Sequence, residues 1–195
     1  MRTGGPMTII RTVPEDEAEG EVAALYAEER ESLGYVPTHS RVMAMNPAAN
    51  RAFEALVGSV ATPMGLRRYE LVTLAAARGT GSRHCRLAHG VKALGVFDED
   101  QLERIARDYA DAGLSDAEVA MMRFAERVAR DASNMSEDDG LALREAGFSD
   151  REIVDIAIAA SARVYLGRML QALAVEVDVP ERLSDPLRAA LVDGL

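Results

Sequence analysis

The chain is poor in exactly the residues that several kinds of function would need. It has one cysteine, Cys85, which excludes an intramolecular disulfide and any multi-cysteine metal site. Redox chemistry at Cys85 would therefore need a second thiol from outside the chain. Basic residues number 22 against 32 acidic ones, leaving a net charge of −10. Nucleic acid and anionic membranes both demand a concentrated basic surface, so neither is expected as a partner. No apolar run approaches the ~20 residues that span a bilayer. The stretch MRTGGPMTIIRTVPEDEAEGE lacks the apolar region and small-residue cleavage site of a secretory leader, so a cytoplasmic protein is expected. Lys92 is the sole lysine, a bias of composition that carries no functional weight.

What is present describes a globular protein. Hydrophobic residues make up 48% and charged residues 28% of 195 positions, enough for a real core in one domain. Sustained two-residue alternation is nearly absent, while apolar residues recur at helical spacing, so the fold class is all-α. Residues 8–13 and 174–180 could be extended. A helix is read from Glu15 to Leu33, stopped by Gly34, with Val22, Leu25 and Tyr26 as its apolar stripe. Another covers 47–60, and Thr62-Pro63 reads as the start of the next. Long helices follow at 115–131, with Val119, Met122, Phe124 and Val128 inward, and at 149–174, with a short one at 186–191. A phrase recurs: GVFDEDQLERIA at 95–106 and GFSDREIVDIA at 147–157. Each places a glycine, a hydrophobic residue and a capping residue at a helix junction, which suggests two related helical units. Ser115 with Glu118 and Ser149 with Glu152 have capping-box spacing.

The chemistry concentrates between Glu70 and His89, ELVTLAAARGTGSRHCRLAH. An apolar helix runs into Gly79 and Gly81, where the chain can turn, and a second helix begins near Ser82. On it Cys85 and His89 are an i,i+4 pair and share a face. Cys85 falls in the first turn, where the helix dipole and free N–H groups favour an anion, and Arg83 and Arg86 are adjacent cations. His89 could take a proton from the thiol. Glu70 could orient His89 if the hairpin folds back; the spacing permits this and does not require it. A lone cysteine is otherwise a common buried apolar residue, and Glu70 an ordinary helical glutamate. His84 points to another face, as likely solvent-facing as pocket-lining by geometry, and His39 is read as a loop residue. Arg163 and Tyr165 could face the pocket, with core and surface as the plainer readings. A zinc site from His84, Cys85 and His89 is disfavoured because closed sites want four ligands.

Glu70, Ser82, Cys85 and His89 stand at the spacings of the alkylhydroperoxidase D-like, or carboxymuconolactone decarboxylase, superfamily, which the stretch resembles in its peroxidase-related branch. The family reads Glu, then Cys-x-x-Cys, then His four residues after the second cysteine. Ser82 replaces the first cysteine, and His84 fills the position between the two where the family often has histidine. The resemblance covers roughly residues 15–175, with 1–14 as an extension and 176–195 as a tail holding a short helix. It implies a helical hairpin fold, homo-oligomers such as trimers or hexamers, no cofactor, and a role for His84 in lining the pocket. It also implies reduction of small hydroperoxides: Cys85 becomes the sulfenic acid, with His89 and Glu70 as proton relay. Serine at 82 can cap the helix but cannot form a disulfide, so an external thiol would reduce Cys85 in a one-cysteine cycle. Two alternatives stand beside this one. A decarboxylase on the same fold would use convergent arginines for an anionic substrate, and Arg67, Arg68, Arg83 and Arg86 lie near the motif. A non-catalytic binding or thiol-sensing protein would keep the fold without turnover.

Overall fold

The computed structural model describes residues 9–195, which form ten α-helices and no strand among the described residues. None of these helices is long and apolar enough to cross a membrane. The chain divides into two compact units, residues up to Leu56 with Met169–Asp178, and Val57–Arg168 with Val179–Leu195.

The first unit is built on α1 (Gly20–Leu33) and α2 (Thr38–Met43). Gly34 ends α1 in the left-handed conformation, φ 84°, and returns its N–H to the Arg30 carbonyl. Leu25, Tyr26, Val36 and Ala44 form its core, with Ala18 and Val22 against them. The helix read from Glu15 starts five residues later than expected, at Gly20. The carboxylate of Glu15 is instead spent on Arg30 and Arg41, which holds the 15–19 segment in turns. The extended readings also give way. Ile9 and Ile10 lie in a bend, and one bond from the Ile9 N–H to the Leu173 carbonyl is not a ladder; Thr8 lies outside the described residues. Residues 175–180 are irregular because Asp178 turns back to cap α2, accepting from the Thr38 N–H at 2.7 Å and its hydroxyl at 2.8 Å.

The second unit holds most of the helices. Helix α3 (Pro47–Met64) runs on past the expected boundary, so Pro63 lies in its last turn and does not open the next helix. One missing N–H is tolerated there, and the real break is Gly65, whose φ of 76° and ψ of 153° suit glycine alone. Helix α4 (Leu66–Thr80) is the axis of the unit: Leu71 through Ala77 are all fully buried. After it in the chain come α5 (Arg83–Ala93), α6 (Glu99–Asp108), α7 (Asp116–Asp131), α8 (Glu137–Glu145), α9 (Asp150–Ala172, whose end from Met169 belongs to the first unit) and α10 (Asp185–Val192). Helix α4 packs on α5 and α7, and α10 packs on α5 and α6. The capping boxes at Ser115–Glu118 and Ser149–Glu152 are both formed. The inward face of α7 is rotated from the expected one. Met122 is buried as expected, together with Met121, Ala125 and Ala129, while Val119, Phe124 and Val128 are half-buried.

The close approach of α4 and α7 has a test. A Cβ on Gly79 would stand 2.5 Å from the Glu126 carbonyl and 3.0 Å from the Ala129 Cβ. Helix propensity alone favours alanine by about 1 kcal/mol. Forcing two backbones apart costs typically ~1–3 kcal/mol, so Gly79→Ala is expected to be destabilising on balance. The readout is a lower urea midpoint at unchanged slope. A raised midpoint would show that propensity outweighs the packing there.

The repeated phrases sit at the α5–α6 and α8–α9 junctions. Asp98 caps α6, and Ser149 caps α9. Each phrase buries its phenylalanine under an arginine from the start of α4. Arg67 lies 4.3 Å over Phe97, and Arg68 lies 5.4 Å over Phe148.

Candidate active site

The site is made by the turn between α4 and α5. Gly81 adopts φ 71°, and the Ser82 N–H reaches back to the Ala77 carbonyl at 2.9 Å, so the chain reverses within two residues. The Ser82 hydroxyl accepts from the Cys85 N–H at 3.4 Å and caps α5. Cys85 is thus the third residue of the helix, and His89 lies one turn further along.

Because α5 runs back beside α4, Glu70 and His89 meet. Glu70 Oε2 and His89 Nδ1 are 2.7 Å apart. Glu70 is 1% exposed, Cys85 2% and His89 4%. Burial pushes the Glu70 carboxyl up to about 7, against the opposing pull of the Lys92 and Arg163 charges. A carboxyl and an imidazole this close titrate as a unit, so near neutral pH the pair is poised to gain or give a proton.

Two further groups join them. The Tyr69 ring meets the His89 ring edge-on, centroids 6.1 Å apart. Arg163 on α9 donates from Nη2 to the Tyr69 hydroxyl at 2.9 Å. The signal for both was in the sequence: Tyr69 adjoins Glu70, and Arg163 interrupts the alanine-rich run of α9. Arg163 is buried, as the core reading has it, and its guanidinium is hydrogen-bonded to Tyr69. Tyr165, by contrast, is exposed, and His84 is half-buried. His39 lies in the other unit, 4.0 Å from Asp178.

The expected arginine cluster is not available as a group, since each member has a protein partner. Arg67 pairs with Glu118 at 2.7 Å and Arg68 with Glu152 at 3.0 Å. Arg83 donates to the Leu195 carbonyl at 2.8 Å. Arg86 is buried and spends its donors on the carbonyls of Leu74, Ala106, Ala190 and Leu191. Sequence adjacency placed Arg83 and Arg86 beside the thiol, but helix geometry and tertiary carbonyls take their side chains elsewhere. Among the described residues no three or more His, Cys, Asp or Glu side chains are arranged to hold a metal ion.

These helices and their order define a protein with the fold of the alkylhydroperoxidase AhpD core. No protein-family model matches the chain, and no curated protein matches it. Solved structures do. A peroxidase-related protein from Ralstonia eutropha JMP134 with the AhpD core aligns over 97% of this chain and 98% of its own, with TM-score 0.75 and 22% identity. A peroxidase-related protein from Silicibacter sp. TM1040 aligns over 91% of this chain and 95% of its own, with TM-score 0.78 and 24% identity. The debrominase Bmp8, in a cysteine-to-alanine variant bound to 2,3,4-tribromopyrrole, aligns over 96% of this chain and 98% of its own, with TM-score 0.73 and 16% identity. The all-α expectation is met, and the fold is one shared by peroxidase-related proteins and a debrominase.

Proposed function

We propose that the chain is a one-cysteine thiol peroxidase of the alkylhydroperoxidase D-like family, acting on small hydroperoxides. The observation that carries this reading is the buried Glu70–His89 pair on the hairpin that bears Cys85. Burying two ionisable groups is costly, and a protein that needed only packing would gain by apolar residues there.

The cycle follows from the residues. With Glu70 ionised, its carboxylate accepts the His89 Nδ1–H, which makes Nε2 the basic nitrogen. His89 takes the Cys85 proton, and the thiolate attacks the distal peroxide oxygen. The S–O bond forms as O–O breaks, the sulfur is oxidised to the sulfenic acid, and the alkoxide leaves as ROH with the proton held by His89. One external thiol then displaces water to give a mixed disulfide, and a second releases Cys85 as the thiol. Ser82 keeps its capping role and takes no part in the resolving step. The pairing of these arginines with protein groups gives less support to a decarboxylase acting on an anionic lactone acid. The debrominase sharing the fold supports a second thiol-dependent reading, removal of halogen from a heteroaromatic ring.

The test is sulfenic-acid trapping. One equivalent of cumene hydroperoxide is added to the reduced protein with a dimedone-type reagent, and the intact chain is weighed. Cys85 is expected to label rapidly, and Cys85→Ser to abolish both labelling and thiol-dependent peroxide turnover. Labelling no faster than that of a free thiol would sink the proposal. Release of bromide from a polybrominated pyrrole by the wild type without peroxide turnover would replace it with the second reading.

A further inference from the structure

Arg163 is not explained by the cycle above. It stands on α9 after Ala159, Ala160, Ser161 and Ala162, and it is 4% exposed. Burying a guanidinium is costly unless charge or hydrogen bonds compensate it. Yet its hydrogen bond goes to a neutral phenol, the Tyr69 hydroxyl at 2.9 Å, and its buried Nε has no hydrogen-bond partner.

From Arg163 a continuous contact path leads to the acid–base pair. The guanidinium holds the Tyr69 hydroxyl, the Tyr69 ring lies edge-on to His89, and His89 is hydrogen-bonded to Glu70. We infer that Arg163 is the positioning residue of this pair, fixing Tyr69 against His89 and placing a buried guanidinium behind them. The inference deepens the peroxidase reading and rests on it for its kinetic half.

Lys92 supplies the larger positive influence on Glu70 from an exposed position, and Arg163 is the buried one. From α5 come Cys85, His89 and Lys92, and Lys92 acts in the same sense as Arg163. From α4 comes Tyr69. On α7, Glu126 faces Tyr109, Arg130 and Arg78. Burial alone drives the Glu70 carboxyl towards its neutral form, and a cation opposes that drive. Without Arg163 the proton would stay on Glu70 to higher pH, and the acid O–H would then occupy the His89 nitrogen.

The experiment titrates the histidine directly and the rate beside it. Ring-labelled histidine is followed by NMR across pH 5–9 (roughly two units either side of neutrality), with His89 assigned by His89→Gln. Sulfenylation rates are measured over the same range in wild type, Arg163→Met, Arg163→Lys and Tyr69→Phe. In Arg163→Met the His89–Glu70 midpoint and the acid limb of the rate are expected to rise together by about one pH unit or more. Arg163→Lys is expected to restore most of the shift, and Tyr69→Phe to show part of it. Should Arg163→Met not fold, the Tyr69→Phe shift decides. A rate that falls uniformly with midpoints unmoved would make Arg163 a packing residue and overturn the inference. Loss confined to a hydroperoxide bearing a carboxylate, again with midpoints unmoved, would make it a substrate receptor and overturn it equally. If the wild type shows no sulfenylation while the His89 midpoint still moves with Arg163, the peroxidase reading falls and the positioning role stands.

Discussion

His89→Ala is expected to slow peroxide-driven oxidation of Cys85 by about 10²–10⁴-fold, the usual worth of a positioned acid–base group. Glu70→Gln is expected to do something different, and the pair of variants separates their roles. The Glu70 carboxyl is held near 7, so in the wild type the carboxylate is lost as the pH falls through that value. The rate should drop with it, giving an acid limb centred near neutrality. Glutamine cannot titrate, so in Glu70→Gln the limb should move away from the carboxyl's midpoint, and the rate should be lower throughout pH 6 to 8 (about one unit either side of that midpoint). An unchanged limb in that variant would remove Glu70 from the mechanism.

Stability should move the other way. A carboxyl raised above its ordinary 4.5 makes its full contribution below that value and loses it as the pH rises through about 7. Above neutrality the folded protein carries a buried charge that costs on the order of 3 kcal/mol before the His89 hydrogen bond offsets part of it. Glu70→Gln is therefore expected to gain most in urea midpoint at pH 8 and least at pH 5 (about a unit either side of the shifted range). A variant that loses activity while gaining alkaline stability is the signature of a site kept for its chemistry.

The second large effect lies behind the site. Arg86 is 3% exposed and donates to Leu191 and Ala106 carbonyls at 2.8 Å each, with longer bonds to Leu74 at 3.4 Å and Ala190 at 3.5 Å. Ala106 is in the last turn of α6, and Ala190 and Leu191 are in the last turn of α10. One guanidinium thus satisfies the open ends of two helices and places a positive charge at both dipole termini. Burial pushes it down to about 10, with Arg78 acting in the same sense, so it remains charged at neutral pH. Arg86→Met would leave those carbonyls buried without their donor, at roughly 1–3 kcal/mol for each group truly orphaned. A total of about 3–5 kcal/mol is expected, a large share of a typical domain's 5–15 kcal/mol. Thermal unfolding should fall by about 10 °C, with Arg86→Lys between the two because it keeps the charge and loses the fork. A melting point within about 2 °C of wild type would show that water replaces the guanidinium without cost.

Sequence legibility followed the range of the forces involved. The α4–α5 hairpin was readable because its determinants are local: Gly81 for the left-handed turn, Ser82 for the cap, and an i,i+4 pair on the helix that follows. The repeated capping phrases were readable for the same reason. Gly65 was not read as the break after α3, because Thr62-Pro63 has the stronger start signal and only the surrounding packing shows that Pro63 can be carried inside a last turn. On α7, Met122 was read on the buried face but Ala129 was not, because close approach at Gly79 selects a small side chain that hydrophobicity ranks low. The destinations of Arg86 and Arg163 lie beyond any spacing rule, since their partners are distant in the chain: for Arg86 the ends of α6 and α10, for Arg163 the Tyr69 hydroxyl on α4.

Gly167 gives position 82 a spatial limit. An added Cβ there would meet the Thr80 methyl at 3.0 Å, the Ser82 Cβ at 3.1 Å and its hydroxyl at 3.3 Å. Position 82 therefore has a ceiling, and the ceiling is a backbone on another helix. Sulfur is larger than oxygen, so a two-thiol version of this hairpin could be reached only while 167 carries no side chain. An alanine at 167 would already press on the serine, so one of the two positions would have to give way. Two positions that no local pattern connects would then be inherited, or redesigned, as one choice.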